Sequence, residues 1–126
     1  MPEGWTISPD GKFLAYTYTQ YGHVPSKGWS LAVIPIDGGP PVKNLKVSQN
    51  NKIWRWSPDG KSLQYVFIKD GVENIWEQSL AGGPPKQLTK FTSGKIFDFN
   101  WSSDHTKLLL ARGEITSDVV LLRNHP

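Results

Sequence analysis

A segment of eight residues occurs three times in this chain of 126 residues, and it constrains the fold more than any other feature. The segment WTISPDGK at 5–12 recurs as WRWSPDGK at 54–61 and, less closely, as FNWSSDHT at 99–106. A second marker, GGPP, occurs at 38–41 and at 82–85, in the same phase of the unit. Periods of about 40 to 50 residues are typical of repeat arrays and propellers. The chain is therefore predicted to consist of three successive copies of one structural unit.

Each unit is predicted to contain short antiparallel strands, because apolar residues alternate with a period of two between clusters of turn residues. In the second unit the four predicted strands are 53–57, 62–68, 72–80 and 86–88. Four such strands in about 45 residues match one blade of a β-propeller, and no stretch has the periodicity of an amphipathic helix. The predicted fold is all-β, with three blades at about 4–47, 52–90 and 96–124. Because the last blade lacks its outer strand, we expect one partial domain, half of a six-bladed propeller.

The residues between the predicted strands are those that tight turns require. Pro58 presets φ, Asp59 can accept hydrogen bonds from backbone N–H groups, and Gly60 can take positive φ. Asp70 and Gly71 form the pair that a two-residue type I′ hairpin favours. Both connections are therefore predicted to be hairpin turns.

The strands of the second unit are apolar on both faces, as expected of a blade that packs between two neighbours. The tryptophans interpreted as packing between blades are Trp54, Trp56, Trp76 and Trp101. Three blades would leave two apolar faces open and the strand run at 118–122 as an unpaired edge, which soluble monomers rarely tolerate. We therefore expect a homodimer in which two chains close one six-bladed ring.

Composition limits the classes of partner. The chain is 37% hydrophobic and carries a net charge of +3, with its lysines and arginines scattered singly, so a nucleic-acid partner is not expected. No apolar run approaches the roughly 20 residues of a membrane-spanning helix, and the first residues do not resemble an export signal. The chain has no cysteine, which excludes disulfides and thiolate chemistry but leaves the compartment open.

The sequence carries no recognisable catalytic or metal-binding pattern. None of the histidines has the spacing of a metal ligand pair; they are His23, His105 and His125. The carboxylates at equivalent turn positions, where they favour binding of backbone N–H groups over acid–base chemistry, are Asp10, Asp59 and Asp104. No cofactor and no enzymatic activity are expected. A hydrolase that uses Asp98, His105 or His23 is the less favoured alternative.

One loop departs from the repeat and is the candidate binding site. Where the second unit joins its middle strands by two residues, the first inserts the segment 19–29, which in a propeller would emerge on the same face as the connections between blades. The candidate residues of a recognition rim on this channel face are Tyr21, His23, Trp29, Lys95, Arg112 and Glu114. The aromatic members have the side chains of interface anchors, so the expected ligand is a protein or peptide. Alternatively, the insertion packs back on its own blade.

Three segments carry a family resemblance. The sequences WSPDGKSLQYVF at 56–67 and ENIWEQSLAGGPPKQLT at 73–89 resemble the TolB-like, WD-like propeller repeat. The segment FDFNWSSDHTKLLLARGEITSDVVLL at 97–122 is also similar to the last blade of C-terminal propellers in bacterial sensor-type serine/threonine kinases. This resemblance implies a sensory or protein-binding module, and it would allow a periplasmic or extracytoplasmic location within a larger protein. A purely structural fragment of a larger propeller is the alternative.

Overall fold

The computed structural model describes residues 4–19, 28–48, 50–114 and 121–125. These residues form antiparallel sheets, and none of them lies in a helix that could cross a membrane. Sheet 1 consists of β1 (Trp5–Ile7), β2 (Phe13–Tyr18), β3 (Trp29–Pro35) and β4 (Lys43–Val47). Sheet 2 consists of β5 (Asn51–Trp56), β6 (Ser62–Lys69), β7 (Val72–Ser79) and β8 (Lys86–Gln87). Sheet 3 consists of β9 (Lys95–Trp101), β10 (Leu108–Gly113) and β11 (Leu121–His125).

The strands predicted for the second unit are confirmed to within one residue at each end, except at the start of β5. This strand begins two residues earlier than expected, because Asn51 and Lys52 pair with β6 beyond a bulge. Ile53 lies in the bulge with a φ of 55°, which is rare for a β-branched residue. The alternation of apolar residues does not predict a bulge, because the bulge interrupts that alternation.

The predicted turns are also confirmed. Gly60 has a φ of 71°, and Asp70 and Gly71 both have positive φ, of 53° and 77°, as a type I′ hairpin requires. The Asp59 carboxylate accepts hydrogen bonds from the Ser57 hydroxyl at 2.6 Å and from the Lys61 backbone N–H at 2.9 Å. The turns of the other two sheets repeat this arrangement around Asp10 and Asp104.

Two hydrophobic clusters lie between the sheets. The cluster between sheets 1 and 2 contains Ala15, Leu31, Val33, Trp56 and Leu63. The cluster between sheets 2 and 3 contains Val66, Ile75, Ile96, Phe99, Leu108 and Leu110. Sheet 2 is therefore covered on both faces, as its sequence predicts.

Two tryptophans also join the sheets by hydrogen bonds. The Trp56 indole N–H donates to the Thr6 carbonyl at 3.0 Å, and the Trp101 indole N–H donates to the Gln64 Oε1 at 2.8 Å. Each bond links neighbouring sheets, so the interpretation of these two tryptophans as packing between repeats is confirmed.

One face of sheet 1 is uncovered within the described part of the chain. Trp5 and Ile7 are 70% and 48% exposed, whereas Trp56, which occupies the position of Ile7 in the next repeat, is buried. In the β1–β2 register Trp5 and Ile7 lie opposite Tyr16 and Leu14, and alternation places them on the face away from the cluster with sheet 2.

The last strand extends further along the chain than the sequence indicated. The expected edge run was 118–122, but β11 begins at Leu121 and continues to His125, because Arg123 and His125 pair with Leu110 and Leu108. Residues 118–120 lie outside the described residues.

Candidate functional site

The candidate binding site lies on the face of the molecule where the chain passes from one sheet to the next. Strands alternate in direction, so the turn between the second and third strands of a sheet lies on the same face as the connection to the next sheet. We call this the connection face; it carries the β4–β5, β6–β7 and β8–β9 connections. The sequence predicts the recognition rim on this face.

The six residues of the predicted rim do not all lie together. Tyr21 and His23 fall outside the described residues. Trp29 is the first residue of β3, and it is buried, with its indole nitrogen lacking a hydrogen-bond partner among the described residues. Arg112 and Glu114 lie together at the β8–β9 connection, which leads directly into Lys95.

A buried carboxylate that sequence reasoning missed lies next to the β6–β7 turn, at the connection face. Glu73, the second residue of β7, is fully buried, and its Oε1 accepts a hydrogen bond of 2.7 Å from the Ile96 backbone N–H. Its Oε2 lies 2.9 Å from the Lys52 Nζ and 3.9 Å from the Lys95 Nζ. Glu73 thus connects β5, the first strand of sheet 2, with β9, the first strand of sheet 3. The ammonium groups of both lysines lie close to its carboxylate.

The sequence carries a weak signal for this site. Glu73 precedes Ile75 by two residues, so alternation assigns both side chains to the same buried face of β7. A carboxylate at such a position requires partners. The lysines come from strands about 20 residues before and after it, and only the packing of sheet 2 against sheet 3 identifies them.

Arg112 holds the β8–β9 connection. Its guanidinium lies 3.6 Å from the centre of the Phe91 ring and donates a hydrogen bond of 2.5 Å to the Ser93 carbonyl. A Cβ added at Gly94 would lie 3.2 Å from the Arg112 guanidinium and 3.3 Å from the Glu114 carboxylate. The Arg112 guanidinium therefore holds the β8–β9 loop in place. The side chains of Lys52 and Lys95, by contrast, remain partly exposed to solvent.

The groups of the alternative hydrolase hypothesis have other contacts. The Asp98 carboxylate pairs with the Arg55 guanidinium at 2.9 Å. His105 is an exposed residue of the β9–β10 turn, on the face opposite the connection face, and His23 lies outside the described residues. Among the described residues no group of three histidine or carboxylate side chains could hold a metal ion.

The turn aspartates behave as the sequence predicts. The pKa of Asp104 is lowered to about 2. The largest cause is a hydrogen bond from the Ser102 hydroxyl, and hydrogen bonds from Thr106 are the next largest. The hydroxyls of Ser8 and Ser57 likewise lower the pKa of Asp10 and Asp59. Each carboxylate is therefore held ionised as a hydrogen-bond acceptor in its turn, on the face opposite Glu73.

Comparisons with known proteins agree on the fold. No family model matches the sequence. The crystal structure of TolB from Acinetobacter baumannii superposes on 99% of this chain with a TM-score of 0.69 at 20% identity, and the match covers 30% of that protein. The sheets of this chain therefore have the fold of TolB-like β-propeller blades.

The sequence relatives are longer proteins of differing description. An uncharacterized protein of Agrobacterium fabrum is 34% identical over 88 residues, which is 66% of this chain and 27% of that protein. Dipeptidyl-peptidase 5 of Porphyromonas gingivalis is 28% identical over 67% of this chain, and the Tol-Pal system protein TolB of Xanthomonas campestris is 32% identical over 62% of it. The chain spans only 12% and 18% of those two proteins. The resemblance to kinase propellers stays a prediction.

Proposed function

We propose that this chain is a non-catalytic interaction module that forms part of a β-propeller and binds an acidic protein or peptide segment at the connection face. One observation carries the proposal: a single carboxylate, Glu73, faces two lysines. One negative charge between two positive charges leaves an excess of positive charge. An acidic side chain of a partner would balance it.

The positions of the lysines support this assignment. The side chains of Lys52 and Lys95 are 36% and 39% exposed, so solvent and ligand can reach them although their partner Glu73 is fully buried. Lys95 lies farther from the carboxylate than Lys52 and is the less tightly held of the two. Partly buried charges of this kind are screened less by salt than fully exposed ones.

The contacts of the carboxylates in this chain support a non-catalytic role. Asp98 is engaged by Arg55, and the turn aspartates are engaged by backbone and hydroxyl donors. Dipeptidyl-peptidase 5 is among the relatives, but this chain matches 12% of it.

A blocked hexaglutamate peptide tests the acidic-ligand proposal. Its affinity for the full chain is measured by fluorescence anisotropy at low salt. We expect Lys95→Ala to weaken binding by about fivefold to tenfold, because it removes a charge-assisted hydrogen bond but leaves the pair of Lys52 and Glu73 intact.

Lys86→Ala is the matched control. Lys86 is exposed and follows the connection between β7 and β8, which lies on the opposite face. Its removal lowers the net charge by the same amount and is expected to leave the affinity nearly unchanged. Equal losses for the two variants would mean that the peptide responds to net charge alone, and the proposed site would be wrong.

We also propose that the module is completed by self-association, with two copies closing one ring. The support is the uncovered face of sheet 1, where Trp5 and Ile7 are exposed although the corresponding Trp56 in the next repeat is buried against a neighbouring sheet. Exposed apolar patches of this kind mark interaction surfaces.

A further inference from the structure

The carboxylate of Glu73 is fixed in place by its burial and its hydrogen bonds. Its side chain is fully buried, and its Oε1 accepts a hydrogen bond of 2.7 Å from the Ile96 backbone N–H. The backbone N–H of Glu73 donates to the Gly94 carbonyl at 3.4 Å. Moving the carboxylate would leave the buried Ile96 N–H without an acceptor, which costs free energy. A ligand at the connection face therefore meets a negative charge that it does not displace.

The two lysines beside Glu73 are held differently. Its Oε2 lies 2.9 Å from the Lys52 Nζ and 3.9 Å from the Lys95 Nζ, but it accepts no hydrogen bond of good geometry from the described residues. The ammonium groups are therefore attracted to Glu73 by charge rather than held by directed bonds. Each sits at the end of a flexible stem of methylene groups. The lysines, unlike the carboxylate, are free to turn toward a ligand.

An acidic ligand and Glu73 would share the same cations. The side chains of Lys52 and Lys95 are 36% and 39% exposed, so an acidic group from solvent can approach them while Glu73 stays buried beside them. Two carboxylates at one pair of ammonium groups repel each other, and at a partly buried site salt screens this repulsion only in part. Lys95 is beyond hydrogen-bond distance of Glu73, so its release costs less than that of Lys52.

We propose that Glu73 is a built-in competitor of the acidic ligand. In the free protein its charge offsets one of the two lysine charges, and a ligand carboxylate binds by drawing Lys95 away from it. Glu73 thereby keeps the affinity of the connection face below the value that the two lysines alone would give. This inference rests on the proposed function and adds to it a residue that regulates binding from inside the protein.

The test measures the affinity of the blocked hexaglutamate peptide for the full chain by fluorescence anisotropy at low salt. Glu73→Gln keeps the length of the side chain and an oxygen that can accept the Ile96 bond, but it removes the negative charge. We expect binding to tighten by about threefold to tenfold, because Lys95 is released and the repelling charge is gone. If Glu73 instead positioned the lysines for the ligand, the same variant would weaken binding.

Asp37→Asn is the matched control for net charge. Asp37 is exposed in the connection between β3 and β4, on the face opposite the connection face. Its neutralisation raises the net charge by the same amount as Glu73→Gln and should leave the affinity nearly unchanged. If the two variants tightened binding equally, long-range attraction would explain the gain and the competition would be refuted.

A double variant separates competition for Lys95 from simple repulsion. Release of Lys95 contributes to the gain only where Lys95 is present, so Glu73→Gln should tighten binding less in the Lys95→Ala background than in the parent chain. A gain of the same size in both backgrounds would show that Glu73 does not compete for this lysine, and it would overturn the proposal.

A measurement on the parent chain does not depend on how well any variant folds. In protein labelled with ¹³C, through-bond NMR correlations assign the side-chain carboxyl carbon of Glu73. A saturating amount of unlabelled hexaglutamate should shift this resonance, although Glu73 is fully buried, because Lys95 moves away from it. Saturable binding that leaves the resonance in place would contradict the proposal.

The competition and the proposed function fail by different results. If hexaglutamate does not bind, or if Lys95→Ala and Lys86→Ala weaken its binding equally, both are wrong. If Lys95→Ala alone weakens binding but Glu73→Gln does not tighten it, the connection face remains the ligand site and only the competition is wrong.

Discussion

Gly60 and His105 occupy the same turn position in successive repeats, and both have positive φ, of 71° and 63°. Gly60→Val should destabilise the protein by roughly 1 to 3 kcal/mol, because a β-branched residue is strained in this conformation. His105→Val should cost much less, since His105 already bears part of that strain. Denaturant midpoints measure both changes.

The reverse substitution gives an independent check. His105→Gly should raise the denaturant midpoint, because glycine takes positive φ without a steric penalty. A lowered midpoint, or equal losses for valine at the two positions, would show that these turns are not equivalent.

Asp104 makes the stability of its turn dependent on pH. Its pKa is lowered from 3.8 to about 2 by hydrogen bonds from Ser102 and Thr106. A carboxylate with a lowered pKa in the folded state stabilises the protein fully above its unfolded pKa and loses this effect as the pH falls through the folded value. We therefore expect the melting temperature to fall between about pH 4 and pH 2, with Asp10 and Asp59 contributing in the same direction.

The variant Asp104→Asn tests the source of this dependence. Asparagine keeps an acceptor oxygen but does not titrate in this range, so the decline of the melting temperature with falling pH should be shallower than in the parent. An unchanged slope would assign the dependence to other carboxylates.

At the scale of strands, Glu73 joins β7 to β9 through the Ile96 N–H and to β5 through Lys52. Glu73→Ala should destabilise the protein by roughly 1 to 3 kcal/mol, because the buried Ile96 N–H loses its acceptor. Glu73→Gln should cost less, since its amide oxygen can still accept that bond. Denaturant unfolding of the two variants separates the hydrogen bond from the charge, and equal losses would mean that the charge dominates.

The strand pattern explains which parts of the site were predictable. The repeat predicts that Lys95, Arg112 and Glu114 lie on one face, because it fixes which strand ends point the same way. It does not predict that Arg112 stacks on Phe91, or that Lys52 and Lys95 share Glu73. These contacts depend on side chains from different sheets.

At the scale of the whole molecule, two copies should associate. The exposed Trp5 and Ile7 lie on the uncovered face of sheet 1, which in a closed ring would meet sheet 3 of the partner. Light scattering at micromolar concentration should give twice the monomer mass of 14.1 kDa. The variant Trp5→Glu, which places a charge on that face, should shift the mass to that of the monomer.

Two results would contradict the closed ring. A monomer mass for the parent chain would exclude self-association and favour a role as one part of a longer propeller. A dimer that persists unchanged in Trp5→Glu would place the contact elsewhere, for example at the edge formed by β11.

The sequence by itself determined the repeat, the strands within it and the chemistry of the turns. These follow from local causes: alternation assigns the two faces of each strand, and proline, aspartate and glycine select the turn conformation. Only the tertiary structure decided the bulge at Ile53 and the placement of Glu73 between two lysines. The physical reason differs between the two: the bulge interrupts the alternation within the β5–β6 pair, whereas the contacts of Glu73 depend on how sheet 2 stacks on sheet 3, which joins residues whose separation in the chain carries no local signal.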